Sequence, residues 1–188
     1  HITTPSTPLL IYNSPPTLQS GVVNWISLPT PNWIQTGWNY YYDPNGNLRG
    51  PYQFVETCVN GCYGPPARYY QEFNYQNWGT EVEYLIEYTP GSGNQWCAYI
   101  NGYQKKCQAI VTPPIMGEAF SEIHVNSMND LDTYFNNDYY KGADFIWRLL
   151  DQNEIPGTPN FPYNLQIFQP YNFRTYRSNL AYLPVIMK

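Results

Sequence analysis

The sequence NWIQTGWNYYY, residues 32–42, alternates apolar and polar side chains, which is the period-2 pattern of a β-strand. In this register Trp33 shares a face with Gln35 and Gly37, and the residues between them point to the opposite face. The amide of a strand glutamine can donate hydrogen bonds to a developing oxyanion, although most strand glutamines simply face solvent. The stretch therefore predicts a strand with two different faces, and the role of Gln35 depends on what lies beside it.

Short segments of this kind recur along the chain and are separated by turns rich in Pro, Gly and Asn. The predicted strands are 22–28, 33–43, 52–58, 67–75, 80–88, 95–100, 104–112 and 118–126. This spacing is typical of an antiparallel sandwich or barrel, and not of alternating strands and helices. The length of 188 residues fits one such domain over 21–188, preceded by a Pro/Ser/Thr-rich arm over 1–20.

The pattern changes after residue 126. Ser127, followed by Asp130 and Asp132, is typical of an N-cap and the first turn of a short helix. The run 143–150 fits a helix or a strand, and closing strands are predicted at 165–168, 173–176 and 182–187. The sequence thus predicts an all-β fold with a short helical or irregular C-terminal segment.

The composition limits the classes of partner and compartment. Charged residues make up 12% of the chain and aromatic residues 18%, and the net charge of −5 provides no basic surface for nucleic acid. No apolar run is long enough for a membrane span. Because the chain opens with His1 and not with Met, we expect a mature, secreted form.

The four cysteines form two local pairs in the sequence. Cys58 and Cys62 bracket an Asn-Gly, and so do Cys97 and Cys107; this dipeptide is the strongest short turn signal. Two disulfides, each closing one turn, are the simplest of the three possible pairings. A zinc site is the alternative, but the spacing is not that of a zinc finger. Disulfides would place the protein in an oxidising, extracellular compartment.

Most catalytic motifs are absent, which leaves carboxylate chemistry. The sequence contains no Gly-x-Ser-x-Gly, His-Glu-x-x-His, P-loop or Rossmann glycine pattern, and His124 is its only histidine besides His1. Glu122 would share a strand face with Phe120 and His124, where an apolar setting would raise the pKa of a glutamate and make it a usable acid or base. The alternative is an exposed strand carboxylate.

Several of these segments together resemble the glutamic endopeptidases, the eqolisins. In that family a Trp-containing strand leads into a strand with Gln-Thr-Gly, followed by acidic-aromatic strands and a strand that bears the catalytic glutamate. The matching segments, in the family's order, are VNWISL at 23–28, IQTG at 34–37, YQEFNY at 70–75, GTEVEYLIE at 79–87 and SEIHV at 121–125.

The resemblance implies a concanavalin-like jelly-roll β-sandwich and an acid endopeptidase that acts on polypeptides without cofactor or metal. Ionised Glu122 would take a proton from water as it adds to the scissile carbonyl, while Gln35 would stabilise the oxyanion. The side chains implied to line the cleft are Trp25, Trp38, Glu72 and Tyr75. At Asn39 and Asn126 this chain has an amide where the family has an acidic residue.

Two other functions fit the same composition. Exposed Trp and Tyr on a β-sandwich also serve carbohydrate-binding modules, because aromatic rings stack on sugar faces. A structural subunit of an extracellular filament or surface layer is the third hypothesis, in which Leu9-Leu10-Ile11-Tyr12 of the arm self-assembles by completing a neighbour's sheet.

Overall fold

β-strands make up nearly all of the regular structure in the computed structural model, which describes residues 1–4, 21–27, 32–43, 45–62, 68–89, 95–110, 118–124, 133–136, 139–141, 146–149, 163–169 and 172–177. The strands are β1 (Ile2–Thr3), β2 (Gly21–Ser27), β3 (Trp33–Tyr42), β4 (Leu48–Cys58), β5 (Arg68–Tyr75), β6 (Glu81–Val82), β7 (Tyr84–Thr89), β8 (Gln95–Ile100), β9 (Tyr103–Ala109), β10 (Glu118–His124), β11 (Thr133–Phe135), β12 (Tyr139–Lys141), β13 (Trp147–Leu149), β14 (Tyr163–Gln169) and β15 (Asn172–Arg177). A single 3-10 turn, Asn60–Cys62, is the only helical element among the described residues.

The sheet that contains β3 has the strand order β10-β2-β3-β4-β5, with antiparallel pairing throughout. We call it the first sheet. The alternation seen in the sequence is present in β3: Ile34, Trp38 and Tyr40 are fully buried and belong to the hydrophobic core. Gln35 and Asn39 therefore project from the other face of the same strand.

The core lies between the first sheet and two further sheets. One of these has the order β14-β15-β11-β1-β6 and the other the order β7-β8-β9, and only Glu83 separates β6 from β7 in the chain. The core cluster draws on all three sheets, with Ile34, Trp38, Tyr40 and Val55 from the first, Ile2, Val82, Phe135 and Phe173 from the second, and Tyr84, Ala98 and Ile100 from the third. The strands β12 and β13 pair with each other.

The short helix predicted downstream of residue 126 is wrong where the structure describes it. Thr133–Phe135 forms β11, which pairs with β1 and β15, and Thr133 and Phe135 are fully buried. The Asp-rich start of the predicted helix, residues 127–132, lies outside the described residues. Long-range pairing overrides the local capping signal because β11 fills a position between two strands. In the run 143–150, which fitted either element, Trp147–Leu149 is a strand.

Strand β1 belongs to the segment predicted as an arm, yet it lies between β6 and β11. Ile2 is 1% exposed and is paired with Val82 on one side and Phe135 on the other. The terminal amine of His1 donates to the carbonyl oxygen of Asn136 at 2.9 Å. The first four residues are thus part of the folded sheets, whereas 5–20, including Leu9-Leu10-Ile11-Tyr12, lie outside the described residues.

Both predicted disulfides are present and each closes a local loop. Cys58 is joined to Cys62, and Cys97 is joined to Cys107. Cys97 in β8 and Cys107 in β9 lie directly opposite each other, with a Cα–Cα distance of 4.0 Å. In the hairpin between these strands Asn101 and Gly102 have φ values of 50° and 74°, as a type I′ turn requires.

Gly50 is a position where a side chain cannot be accommodated, and we expect Gly50→Ala to destabilise the fold strongly. Its φ is +90°, and a Cβ there would lie 2.5 Å from the carbonyl oxygen of Asn39. Gly102 is the matched control, because it has φ +74° but nothing within 4 Å of a built Cβ. Gly102→Ala should cost about 1 kcal/mol from the unfavourable φ alone, and Gly50→Ala about 1–3 kcal/mol more. Urea unfolding of both variants measures the difference, and equal costs would contradict the expectation.

Candidate functional site

The face of the first sheet opposite the core carries a glutamine, a glutamate and an arginine in contact. The Gln35 amide nitrogen donates to Oε2 of Glu56 at 2.7 Å, and Nε of Arg68 donates to Oε1 of the same carboxylate. Glu56 is 5% exposed, whereas the Arg68 side chain is mostly exposed. We call these three residues the Gln35 cluster. Antiparallel pairing sets it up, since Gln35 faces Glu56 in the register of β3 and β4.

A second polar group lies further along the same face, and we call Asn39, Tyr41, Tyr70 and Glu72 the Glu72 cluster. The Tyr70 hydroxyl donates to Oε1 of Glu72 at 2.9 Å, and the Tyr41 hydroxyl lies 3.4 Å from Oε2. The Asn39 amide nitrogen donates to the Tyr70 oxygen and lies 3.5 Å from Oε1 of Glu72. Its own carbonyl oxygen is buried and has no hydrogen-bond partner.

The two tyrosines of the Glu72 cluster are held in the protonated state. Burial, and next the negative charge of Glu72, raise the pKa of Tyr70 far above its usual value. The same two causes, in the same order, raise the pKa of Tyr41. Both hydroxyls therefore remain hydrogen-bond donors to Glu72 at neutral and acid pH.

The two clusters are adjacent because of how β4 and β5 pair. Glu56 faces Tyr70, and Phe54 faces Glu72. The Phe54 ring is 1% exposed and stacks on Tyr70, with ring centroids 5.8 Å apart. On β3, only Gly37 lies between Gln35 and Asn39 on this face, so no side chain of that strand separates the clusters.

Glu122 is not brought beside Gln35 by the backbone register. It is paired with Val23, which is paired with Asn39, whereas Gln35 is paired with Ser27 and through it with Glu118. Four residues along β3 amount to about 13 Å, and two strand spacings add about 10 Å across the sheet. The Cα atoms of Gln35 and Glu122 are therefore separated by about 16 Å if the sheet is treated as flat.

The residues expected to line a cleft have different positions. Trp38 does not lie where it was expected to line the cleft. It is fully buried in the core, on the face opposite Gln35, because the two residues are an odd number of positions apart along the strand. Tyr75 is 55% exposed and its ring meets Tyr52 edge to face at 6.1 Å. Glu72 is in the cluster named after it. For Trp25 the structure gives the backbone position in β2, paired with Gly37 and Phe120.

Sequence reasoning missed Glu56, Arg68 and Tyr70 as members of the site. Glu56 lies in the predicted strand 52–58, between Val55 and Thr57, and the one available signal is a carboxylate in a run of otherwise uncharged strand residues. Which residue faces Gln35 depends on the register between two strands, and that register is not visible in either segment alone.

A metal site and a membrane-spanning helix are both absent from the part of the chain that the structure describes. No group of three or more His, Cys, Asp or Glu side chains among the described residues could hold a metal ion. Across this same part of the chain, no helix has the length and apolar character needed to cross a bilayer.

Comparison of the sequence with protein-family models and with curated proteins finds no match.

Proposed function

We propose that this protein is a secreted endopeptidase of glutamic type, which hydrolyses peptides with an amide and a carboxylate on the face of the first sheet. The observation that carries the proposal is the Gln35 amide nitrogen, 2.7 Å from a carboxylate oxygen of Glu56. An amide beside an ionisable carboxyl group is the pair that metal-free water attack on a carbonyl requires. The resemblance of segments 23–28, 34–37, 70–75, 79–87 and 121–125 to the eqolisins supports the same reaction.

In the proposed mechanism Glu56 is the general base. Its carboxylate takes a proton from water as the water oxygen bonds to the scissile carbonyl carbon, and the carbonyl oxygen becomes an oxyanion. The Gln35 amide has two N–H bonds, of which one already points at Glu56 and the other is available for the oxyanion. The protonated Glu56 then gives its proton to the leaving amine as the C–N bond breaks, which regenerates the carboxylate.

Two carboxylates compete for the role of base, and they have different support. Glu56 is in contact with the Gln35 amide, and its other carboxylate oxygen is bonded to Arg68. Glu122 is the residue that the eqolisin resemblance names. We assign the base to Glu56 because proton transfer requires hydrogen-bond reach, either directly or through one water.

The finer description of the fold belongs to the same proposal. We infer a concanavalin-like jelly-roll sandwich, and its support is the core cluster, which lies between the first sheet and the other two. The disulfides Cys58–Cys62 and Cys97–Cys107 support the oxidising compartment in which a secreted enzyme acts. An experimental structure with a jelly-roll connection between these sheets would confirm the fold.

The proposal is tested with unfolded protein as substrate at about pH 4, close to the ordinary ionisation range of a glutamate. We expect cleavage that resists both pepstatin and chelators. Gln35→Ala should reduce kcat by about 10²–10³-fold, the usual effect of removing one oxyanion donor. The control is Gln71→Ala. Gln71 is an exposed residue of β5, and it is paired with the core residue Val55, so its side chain lies on the face of the first sheet opposite Gln35. A wild-type chain that cleaves no peptide across the acid range would refute the proposal.

Carbohydrate binding is a second candidate, because two exposed tyrosines lie beside these polar groups. Tyr70 is 44% exposed and Tyr75 is 55% exposed, and both lie on β5. Aromatic rings next to amide and carboxylate groups suit the apolar face and the hydroxyls of a sugar. Saturable binding on a glycan array, lost on replacing both tyrosines by Ala, would favour this function over hydrolysis.

A further inference from the structure

Glu72 is a carboxylate surrounded by neutral donors. Its contacts are the hydroxyls of Tyr41 and Tyr70 and the amide of Asn39. Among the described residues Glu72 forms no ion pair, whereas Glu56 is paired with Arg68. The nearby Arg49 is held by Asp43 at 2.9 Å. The half-buried Glu72 cluster thus contains a carboxylate that is not ion-paired with any described residue.

The surroundings of this carboxylate are those of a cation site. The hydroxyls of Tyr41 and Tyr70 lie within hydrogen-bond distance of it, and a phenol oxygen can also accept a hydrogen bond from an ammonium or guanidinium group. The Asn39 side chain forms the buried end of the cluster, with the residue 7% exposed, and its carbonyl oxygen accepts no hydrogen bond. An acceptor left unpaired in this way is destabilising, so a ligand that brings an N–H donor to it would supply the missing hydrogen bond.

We propose that the Glu72 cluster binds a cationic side chain, lysine or arginine, of a polypeptide lying along the face of the first sheet. The proposal deepens the peptidase function and rests on it for the identity of the ligand as a peptide. Glu72 accepts hydrogen bonds from the cation, the hydroxyl oxygens of Tyr41 and Tyr70 lie beside it, and the carbonyl oxygen of Asn39 offers a further acceptor.

The cluster also lies at a useful distance from the Gln35 amide. Gln35 and Asn39 are separated by four residues of β3, or about 13 Å. In an extended peptide, side chains on one face recur every second residue, at about 6.6 Å. Glu72 itself lies nearer, because it is paired through Phe54 with Gly37, two residues from Gln35. The cationic residue would therefore lie two to four residues from the bond that is cleaved, which makes Glu72 a specificity-determining residue and not a catalytic one.

The experiment measures binding at pH 7 by isothermal titration calorimetry, so that its result does not depend on hydrolysis. The probes are two capped peptides, Ala-Ala-Lys-Ala-Ala and the same peptide with norleucine in place of lysine. We expect the wild-type chain to bind the lysine peptide about tenfold more tightly, as for one hydrogen bond to a charged group. Glu72→Gln keeps the shape of the side chain and should reduce the ratio to about one. Glu87→Gln removes the same charge from β7, in another sheet, and should leave the ratio unchanged.

Equal affinity of the wild-type chain for the two peptides would overturn the cation site, and this result needs no variant. A lysine preference that survives in Glu72→Gln would overturn it as well. Lysine-selective binding by a chain that hydrolyses nothing would support the cation site while the peptidase proposal fails. Hydrolysis with equal rates at sequences with and without a basic residue would overturn the cation site while the peptidase proposal stands.

Discussion

Glu56→Gln is expected to reduce peptide hydrolysis by about 10²–10⁴-fold, the range over which a positioned general base acts. The substitution keeps the shape of the side chain, and the new amide oxygen can still accept the hydrogen bond from Gln35 that Glu56 accepts at 2.7 Å. What it removes is the capacity to take a proton from water, together with the ion pair to Arg68. The measurement is kcat on an unfolded protein at acid pH.

Two matched variants separate this explanation from its competitors. Arg68→Met breaks the ion pair with Glu56 but leaves the carboxylate, so it reports how much of the loss comes from the ion pair alone. Glu122→Gln tests the residue named by the eqolisin resemblance. Full activity in Glu56→Gln together with an inactive Glu122→Gln would transfer the role of base to Glu122. It would also require Gln35 in β3 and Glu122 in β10 to lie closer together than the register of β10, β2 and β3 places them.

Trp38→Ala is expected to reduce the free energy of unfolding by about 3–5 kcal/mol, the cost of emptying a large aromatic site in a core. Trp38 is fully buried, stacks with Tyr40 at a centroid distance of 5.6 Å and meets Trp78 edge to face at 6.3 Å. Such a loss is a large fraction of the stability of a typical domain. Chemical denaturation with the disulfides intact gives the value.

Trp147→Ala is the control, because Trp147 in β13 is 42% exposed and should cost about 1 kcal/mol or less. Trp38→Phe should be milder than Trp38→Ala for two reasons. It leaves a smaller cavity, and it removes an indole N–H that is buried without a hydrogen-bond partner. Similar losses in Trp38→Ala and Trp147→Ala would contradict the placement of Trp38 in the core. They would also restore Trp38 as a candidate for the face that binds a ligand.

The strands and disulfides could be predicted because their signals are local. The alternation in residues 32–42 fixes which side chains share a face, and the structure confirms a strand at Trp33–Tyr42. Two cysteines that are ten residues apart and have Asn-Gly between them predict a hairpin closed by a disulfide, as found at Cys97 and Cys107. The helix predicted to start near Ser127 failed at its C-terminal end because capping residues describe a local preference that pairing with β1 and β15 overrides at Thr133–Phe135.

The candidate site was predicted in part. Gln35 and Glu72 were identified from the sequence, and both lie on the face of the first sheet opposite the core. Trp38 was expected to line the same cleft, but it is three residues from Gln35. Because side chains alternate between the two faces of a strand, an odd separation already places Trp38 on the opposite face. Glu56 was missed because it is 21 residues from Gln35 and nothing near either residue indicates the other.

By itself the sequence determined the chemistry that is available: β-strands with two different faces, two short disulfide loops, few charges and many tyrosines. Only the tertiary structure decided which of these groups meet. Antiparallel pairing brought Glu56 to Gln35, and Glu72 to Tyr41 and Tyr70. It also placed β1 beside β6. The same pairing aligned Glu122 with Asn39 and not with Gln35. The physical reason is that register arises from the burial of whole faces against one another, so it depends on every strand of the sheets and not on any single segment.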